Sequence, residues 1–234
     1  TTEIYTLSLH DALPIFDFKM QGGPYYITLL DVVKTRETFL DPAFINRYKY
    51  EIDEVIFYRD RPTFVINFHP SIRSEQSSYQ GKLYIDRETH ALVQANFGLG
   101  RQELKDARKT MIKKKPKGFF VRPEEVEYQV TYKLDQGKWI FNTAKSNVVF
   151  KVKSKNDKIN STFTSVSDLL ITDYSVTDLK RFKYSETFHS NDIFTEVVEN
   201  LDDGFWGQYN VIKPNENLKK AIRSEKKPDQ AKKP

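Results

Sequence analysis

Apolar and polar positions alternate through most of the middle of this chain, and the alternation has the period of two that marks a half-buried β-strand. From Tyr48, residues Tyr50, Ile52, Glu54, Ile56 and Tyr58 alternate with Glu51, Asp53, Val55 and Phe57 as far as Arg59-Asp60-Arg61-Pro62. The return run Thr63–Phe68 places Phe64, Ile66 and Phe68 on one side, so the pattern predicts a hairpin. Ser78–Phe97 is the most legible hairpin in the chain. Tyr79, Gly81, Leu83 and Ile85 share one face, Arg87–His90 turns, and Ala91, Val93, Ala95 and Phe97 continue the apolar set. A one-residue slip would expose that whole set, which predicts a firmly specified register. Val126, Tyr128, Val130, Tyr132 and Leu134 then alternate with polar residues, and Asp135-Gln136-Gly137 supplies hairpin turn chemistry. Trp139–Lys153 predicts one long strand or two, and Ile159–Ile171 a further strand rich in Ser and Thr.

Helical signals are few. Leu29, Leu30, Val32 and Val33 predict a short helix or strand, and Asp41-Pro42 has the cap-then-proline signature of a short helix over AFINRY. Leu104, Ala107, Met111 and Ile112 recur at helical spacing, predicting a helix over about 101–112 closed by Lys113-Lys114-Lys115-Pro116. After Asp173 the pattern loosens, with a short helix expected at 191–198. Phe205, Trp206 and Tyr209 form a dense aromatic group, read either as a plug for an open sheet end or as a surface for a ligand or partner. A final helix is predicted over 216–226, capped by Pro214-Asn215 and fading into a basic tail.

Composition narrows the function classes. The 234 residues hold 17 Phe and 13 Tyr and no Cys, which favours half-buried extended surfaces and excludes disulfides, thiol catalysis and thiolate metal sites. No apolar run approaches the roughly 20 residues a membrane-spanning helix needs. The formal charge of +5 belongs to the tail: residues 219–234 carry seven Lys or Arg against Glu225 and Asp229, so the body is near balance and nucleic acid is not an expected partner. Residues 1–15, TTEIYTLSLHDALPI, match the in-frame translation of a widely used sequencing-library adapter. They are expected to be non-native, with the true reading frame truncated before Phe16. The expected organisation is a non-native segment at 1–15, one sheet domain over 16–213, and a C-terminal helix and disordered basic tail over 214–234.

No motif announces chemistry. His69, His90 and His189 lack the spacing of a metal site, and neither a metal nor a cofactor is expected. Asp168, Asp173, Asp178, Glu196, Glu199, Asp202 and Asp203 offer carboxylates that could pair for glycoside hydrolysis, but turn-forming, solvated acids are the simpler reading. Asp202-Asp203 lacks the spacing of a calcium loop. Lys113-Lys114-Lys115-Pro116-Lys117 could touch phosphates or anionic headgroups, and reads more simply as a solvated loop. Gly98-Leu99-Gly100 lacks the third glycine of a dinucleotide fingerprint.

Four separated blocks, GKLYIDRETHALV, KKKPKGFFVRP, SNDIF and DGFWGQYNVIKPNENL, together resemble the Bacteroidetes envelope proteins described as carboxypeptidase-like regulatory-domain-containing, in the region that follows their regulatory β-sandwich. The resemblance spans roughly Gly22 to Ile222. It implies a cell-envelope location, periplasmic or outer-membrane associated, and no peptidase activity for these residues. Lys82–Val93 is also similar in cadence to the hairpins of periplasmic lipoprotein carriers. That likeness implies a curved half-barrel sheet with helices on its concave side, where the carriers hold lipid-like ligands. The expected architecture is therefore α+β, a large curved antiparallel sheet of about seven to nine strands with a few short helices. The expected function is that of a monomeric, non-enzymatic envelope module acting through its sheet surface or groove on an uncharacterised partner. Two alternatives stand beside it: a carrier of a lipid or other apolar ligand, and a hydrolase acting on glycan or peptide.

Overall fold

A computed structural model describes residues 2–8 (backbone only), 19–20, 23–71, 79–101, 103–156, 158–178, 181–193 and 197. Eight strands form one open antiparallel sheet. In chain order they are β1 (Thr2–Ser8), β3 (Tyr48–Tyr58), β4 (Arg61–Pro70), β5 (Tyr79–Asp86), β6 (Leu92–Leu99), β8 (Phe119–Asp135), β9 (Lys138–Ser154) and β10 (Ile159–Ile171). Their spatial order is β1-β10-β9-β8-β6-β5-β4-β3, so β1 and β3 are the two edges. A second, two-stranded ladder pairs β2 (Lys19–Met20) with β7 (Ile112–Lys114). The helices are α1 (Pro24–Thr28) and α2 (Glu103–Met111), with single 3-10 turns at Ile45–Arg47 and Tyr184–Glu186. The antiparallel sheet with few, short helices is the one the alternation predicts.

Turn chemistry sets most of the connections. Arg59 and Asp60 both adopt positive φ, 51° and 61°, and Gln136 and Gly137 do the same at 48° and 77°. Both pairs match the primed two-residue turns whose twist suits a hairpin. β8 and β9 are thereby a single long hairpin, Asp135 opposite Lys138 and Phe119 opposite Ser154, and Trp139–Lys153 is one strand rather than two.

Local differences from the sequence reading have identifiable causes. β3 and β4 slip register between Ile52 and Glu54, and β5 and β6 slip between Tyr84 and Ile85. The second bulge pairs Ile85 with Leu92 and brings Leu92 into the cluster with Leu83 and Ala95, while Val93, also buried, lines a pocket near the β5–β6 turn. The run Leu29–Val33 is neither helix nor strand but a chain of turns after α1. Asp41 accepts from Ala43 N at 3.0 Å, but it opens a turn and not the expected helix, and the single 3-10 turn that follows at Ile45–Arg47 starts after Phe44. α2 ends at Met111 because Ile112–Lys114 is drawn into β7. Glu103 and Asp106 in its first turn and Arg108 and Lys109 in its last complement the helix dipole. The β1 strand, within the adapter-like residues 1–15, runs along β10 from Thr2 opposite Ile171 to Ser8 opposite Ser165.

The core divides into two clusters against the sheet. One packs Ile27, Val32 and Phe39, from the segment 23–47, onto Phe68, Leu83, Ala95, Phe97, Val130 and Ala144. The other packs Leu104, Met111 and Ile112 with Val121, Val126, Val148, Phe150 and Val152. Tyr128 belongs to both clusters.

Candidate functional site

The seam between these clusters holds a cavity of about 450 Å³, within the roughly 300–1,000 Å³ typical of small-molecule sites. Its floor follows from the ladder register. Phe97 pairs with Tyr128, Tyr128 with Ser146, and Ser146 with Ser167, so one transverse row changes from aromatic to hydroxyl across four strands. Ser165, opposite Val148, adds a third serine to the hydroxyl end. Ile27, Leu30 and Val32 wall one side, Met20 and Met111 the other. Arg36 and Glu37, both exposed, stand at the rim.

Side-chain packing anchors the cover beside the seam. Phe39 is fully buried and stacks on Phe68 at 4.2 Å between ring centroids, with Phe97 edge-on at 5.1 Å. Asp31 holds the cover to the sheet through the Tyr132 hydroxyl, which donates to its Oδ1 at 2.8 Å, and Tyr50 donates to the Phe39 carbonyl. Burial pushes the Tyr50 hydroxyl up to about 12, with Tyr48 adding a smaller push the same way. The cover is thus pinned to β4 and β8, while α1 at its start also touches β9 and β10.

Tyr79 and Tyr128 face each other across this floor with ring centroids 6.3 Å apart. Their hydroxyls have no hydrogen-bond partner among the described residues, yet neither oxygen is sealed from open space. Both residues line the cavity. Burial raises both phenols above their ordinary value, so each remains a neutral O–H donor. Their oxygens open onto the cavity, where solvent or a bound polar group can accept from them.

The second cavity, about 230 Å³, lies at the β5–β6 turn among Tyr58, Arg61, Tyr132 and Trp139. Its acid is already engaged. Asp86, fully buried, accepts from Arg61 Nε at 2.5 Å and Nη2 at 3.1 Å, from Thr89 N at 2.7 Å and Oγ1 at 2.8 Å, and from Glu88 N at 3.1 Å. The Arg61 hydrogen bond is the largest reason its carboxyl sits well below the usual carboxylate range. Trp139 Nε1 donates to Thr89 Oγ1 at 3.0 Å, and His90 completes the turn at φ 55°. The turn read at Arg87–His90 matches this geometry. The convergence of Arg61 and Trp139 on it was not readable, because they lie 25 residues before Asp86 and 50 after Thr89.

The other sequence candidates separate. Phe205, Trp206 and Tyr209 lie outside the described residues, as do Glu196, Glu199, Asp202, Asp203, half of the helix expected at 191–198 and the helix expected over 216–226. Asp173 and Asp178 are exposed in the segment after β10. Asp168 sits in β10 with Oδ1 3.9 Å from Lys145 Nζ and without a hydrogen bond. His69 is exposed on β4, and His189 stacks on Tyr184 at 3.6 Å. Among the described residues no three His, Asp or Glu converge as a metal site, and no helix is long and apolar enough to cross a membrane. Lys113 donates to Asn191 Oδ1 at 2.7 Å and Lys115 to the Phe119 carbonyl at 2.7 Å. Sequence reasoning missed the seam cavity. Its traces were the Ser-rich β10 and the tyrosines at alternating positions. No family model, curated protein or solved structure matches the chain.

Proposed function

We propose that this chain is a cell-envelope module that binds an apolar ligand in the cleft between its sheet and the 23–47 cover, the reading that keeps a half-barrel carrier as its nearest functional analogue. The observation that carries it is the 450 Å³ cavity itself, lined by Ile27, Leu30, Val32, Met20 and Met111. An open cleft lined by apolar side chains leaves their surface in water, and an apolar occupant removes that area from water. The envelope location rests on the resemblance of the four sequence blocks alone.

The test uses a neutral, environment-sensitive dye such as N-phenyl-1-naphthylamine. The chain is expected to bind it saturably with a rise in fluorescence, and Ser165→Phe, which fills the floor of the cavity, to weaken binding at least about tenfold. Lys82→Ala, on an exposed side chain of β5 away from the cavity, should leave it unchanged. Absence of saturable binding, or equal binding by Ser165→Phe, would remove the proposal.

A further inference from the structure

The lining of the seam cavity specifies more than apolarity. Its described charged residues are Arg36 and Glu37, exposed at the rim and of opposite sign, so the interior offers no net countercharge to an ionised headgroup. Burying an unpaired carboxylate or phosphate there would cost several kcal/mol or more. The interior offers hydroxyls instead. Tyr79 and Tyr128 lack partners among the described residues, and Ser146, Ser165 and Ser167 line the opposite end of the same floor. A hydroxyl or ester carbonyl can accept from the tyrosines and exchange hydrogen bonds with the serines, so it satisfies these groups without bringing a charge. The cavity volume lies toward the lower end of the small-molecule range, which suits one aliphatic chain rather than two or three.

We infer that the cavity takes a neutral single-chain amphiphile, of the monoacylglycerol or long-chain alcohol class, with its polar group hydrogen-bonded at Tyr79 and Tyr128. This inference rests on the proposed binding function and names the ligand class for the same site. The aliphatic tail lies against the Met20, Met111 and Ile27 walls, and the uncharged head stays inside the protein.

Competition against the dye on the 234-residue chain tests it, with monododecanoylglycerol, dodecanoate and a two-chain phosphatidylethanolamine as competitors below their aggregation thresholds. The glyceride is expected to displace the dye at a concentration at least about tenfold lower than dodecanoate or the phospholipid at neutral pH. The double variant Tyr79→Phe/Tyr128→Phe should weaken the glyceride about tenfold, corresponding to ~1.4 kcal/mol, while dye affinity is kept. Equal or better displacement by dodecanoate, or by the phospholipid, overturns the ligand class. An unchanged glyceride affinity in the double variant overturns the tyrosine anchor. Failure of the dye to bind at all overturns the binding reading beneath both, so the two failures are distinguishable. If the double variant fails to fold, Ser146→Ala/Ser167→Ala reads the opposite end of the floor by the same comparison, and unchanged glyceride affinity there counts against the headgroup assignment.

Discussion

Tyr132 reaches from the middle of β8 to donate its hydroxyl to Asp31 Oδ1 at 2.8 Å, and this bond ties the cover to the sheet across 101 residues of chain. Asp31 is 7% exposed and its next cation, Lys34, is 3.9 Å away, so Tyr132→Phe leaves a buried carboxylate short of its best donor. Such hydrogen bonds to charged groups contribute about 1.5–3 kcal/mol, and urea unfolding of the variant should show a loss of that size. Gly81 is constrained differently: a Cβ built there would lie 2.0 Å from the Asn96 carbonyl oxygen. Gly81→Ala must push β5 from β6, and a loss of about 1–3 kcal/mol in the same assay is expected, as for other forced overpacking. Asp86 predicts the acid limb. Its folded carboxyl is lowered from an ordinary value of 3.8, first by the Arg61 hydrogen bond, so the stability it contributes is complete above that value and is lost as pH falls through the folded one. Arg61→Met should therefore move the acid-unfolding midpoint to higher pH, and an unmoved midpoint would show that the pair is not holding the turn.

Elements were legible where local rules act alone. The hairpins β3–β4, β5–β6 and β8–β9 were predicted from alternation and turn chemistry, since a period of two and a short polar turn are both written within about 20 residues. The bulges were not, because an extra residue such as Asp53 is set by what the partner strand and the cover demand. Short segments were least legible: the same apolar run Leu29–Val33 suits a helix, a strand or, as found, a turn that drops Val32 into the core. The adapter-like β1 adds one edge ladder to β10 and nothing described beyond it. A chain beginning at Phe16 should keep its fold and lose no more than a few degrees of Tm, at about 2–4 °C per kcal/mol for a chain this size. A failure of that truncated chain to fold would show that the edge strand is integral.

At the scale of the whole molecule, the sequence by itself determined the fold class, the antiparallel pairing of neighbouring hairpins and the polar character of their turns. Each of these depends on side-chain periodicity and backbone preference along a short stretch of chain. The tertiary structure alone decided where those faces leave space. The seam cavity brings Met20, Phe97, Met111, Tyr128 and Ser165 together from five separate elements, and the ion pair at the β5–β6 turn joins Arg61 to Asp86 across two strands. No periodicity encodes such a meeting. It arises because the 23–47 cover, pinned by Asp31 and Phe39, and α2 pack on the same face of the sheet with Tyr128 between their two clusters. Pattern specifies which side of each strand is apolar. Only the packing of two covers onto one face determines that the apolar surface between them stays open.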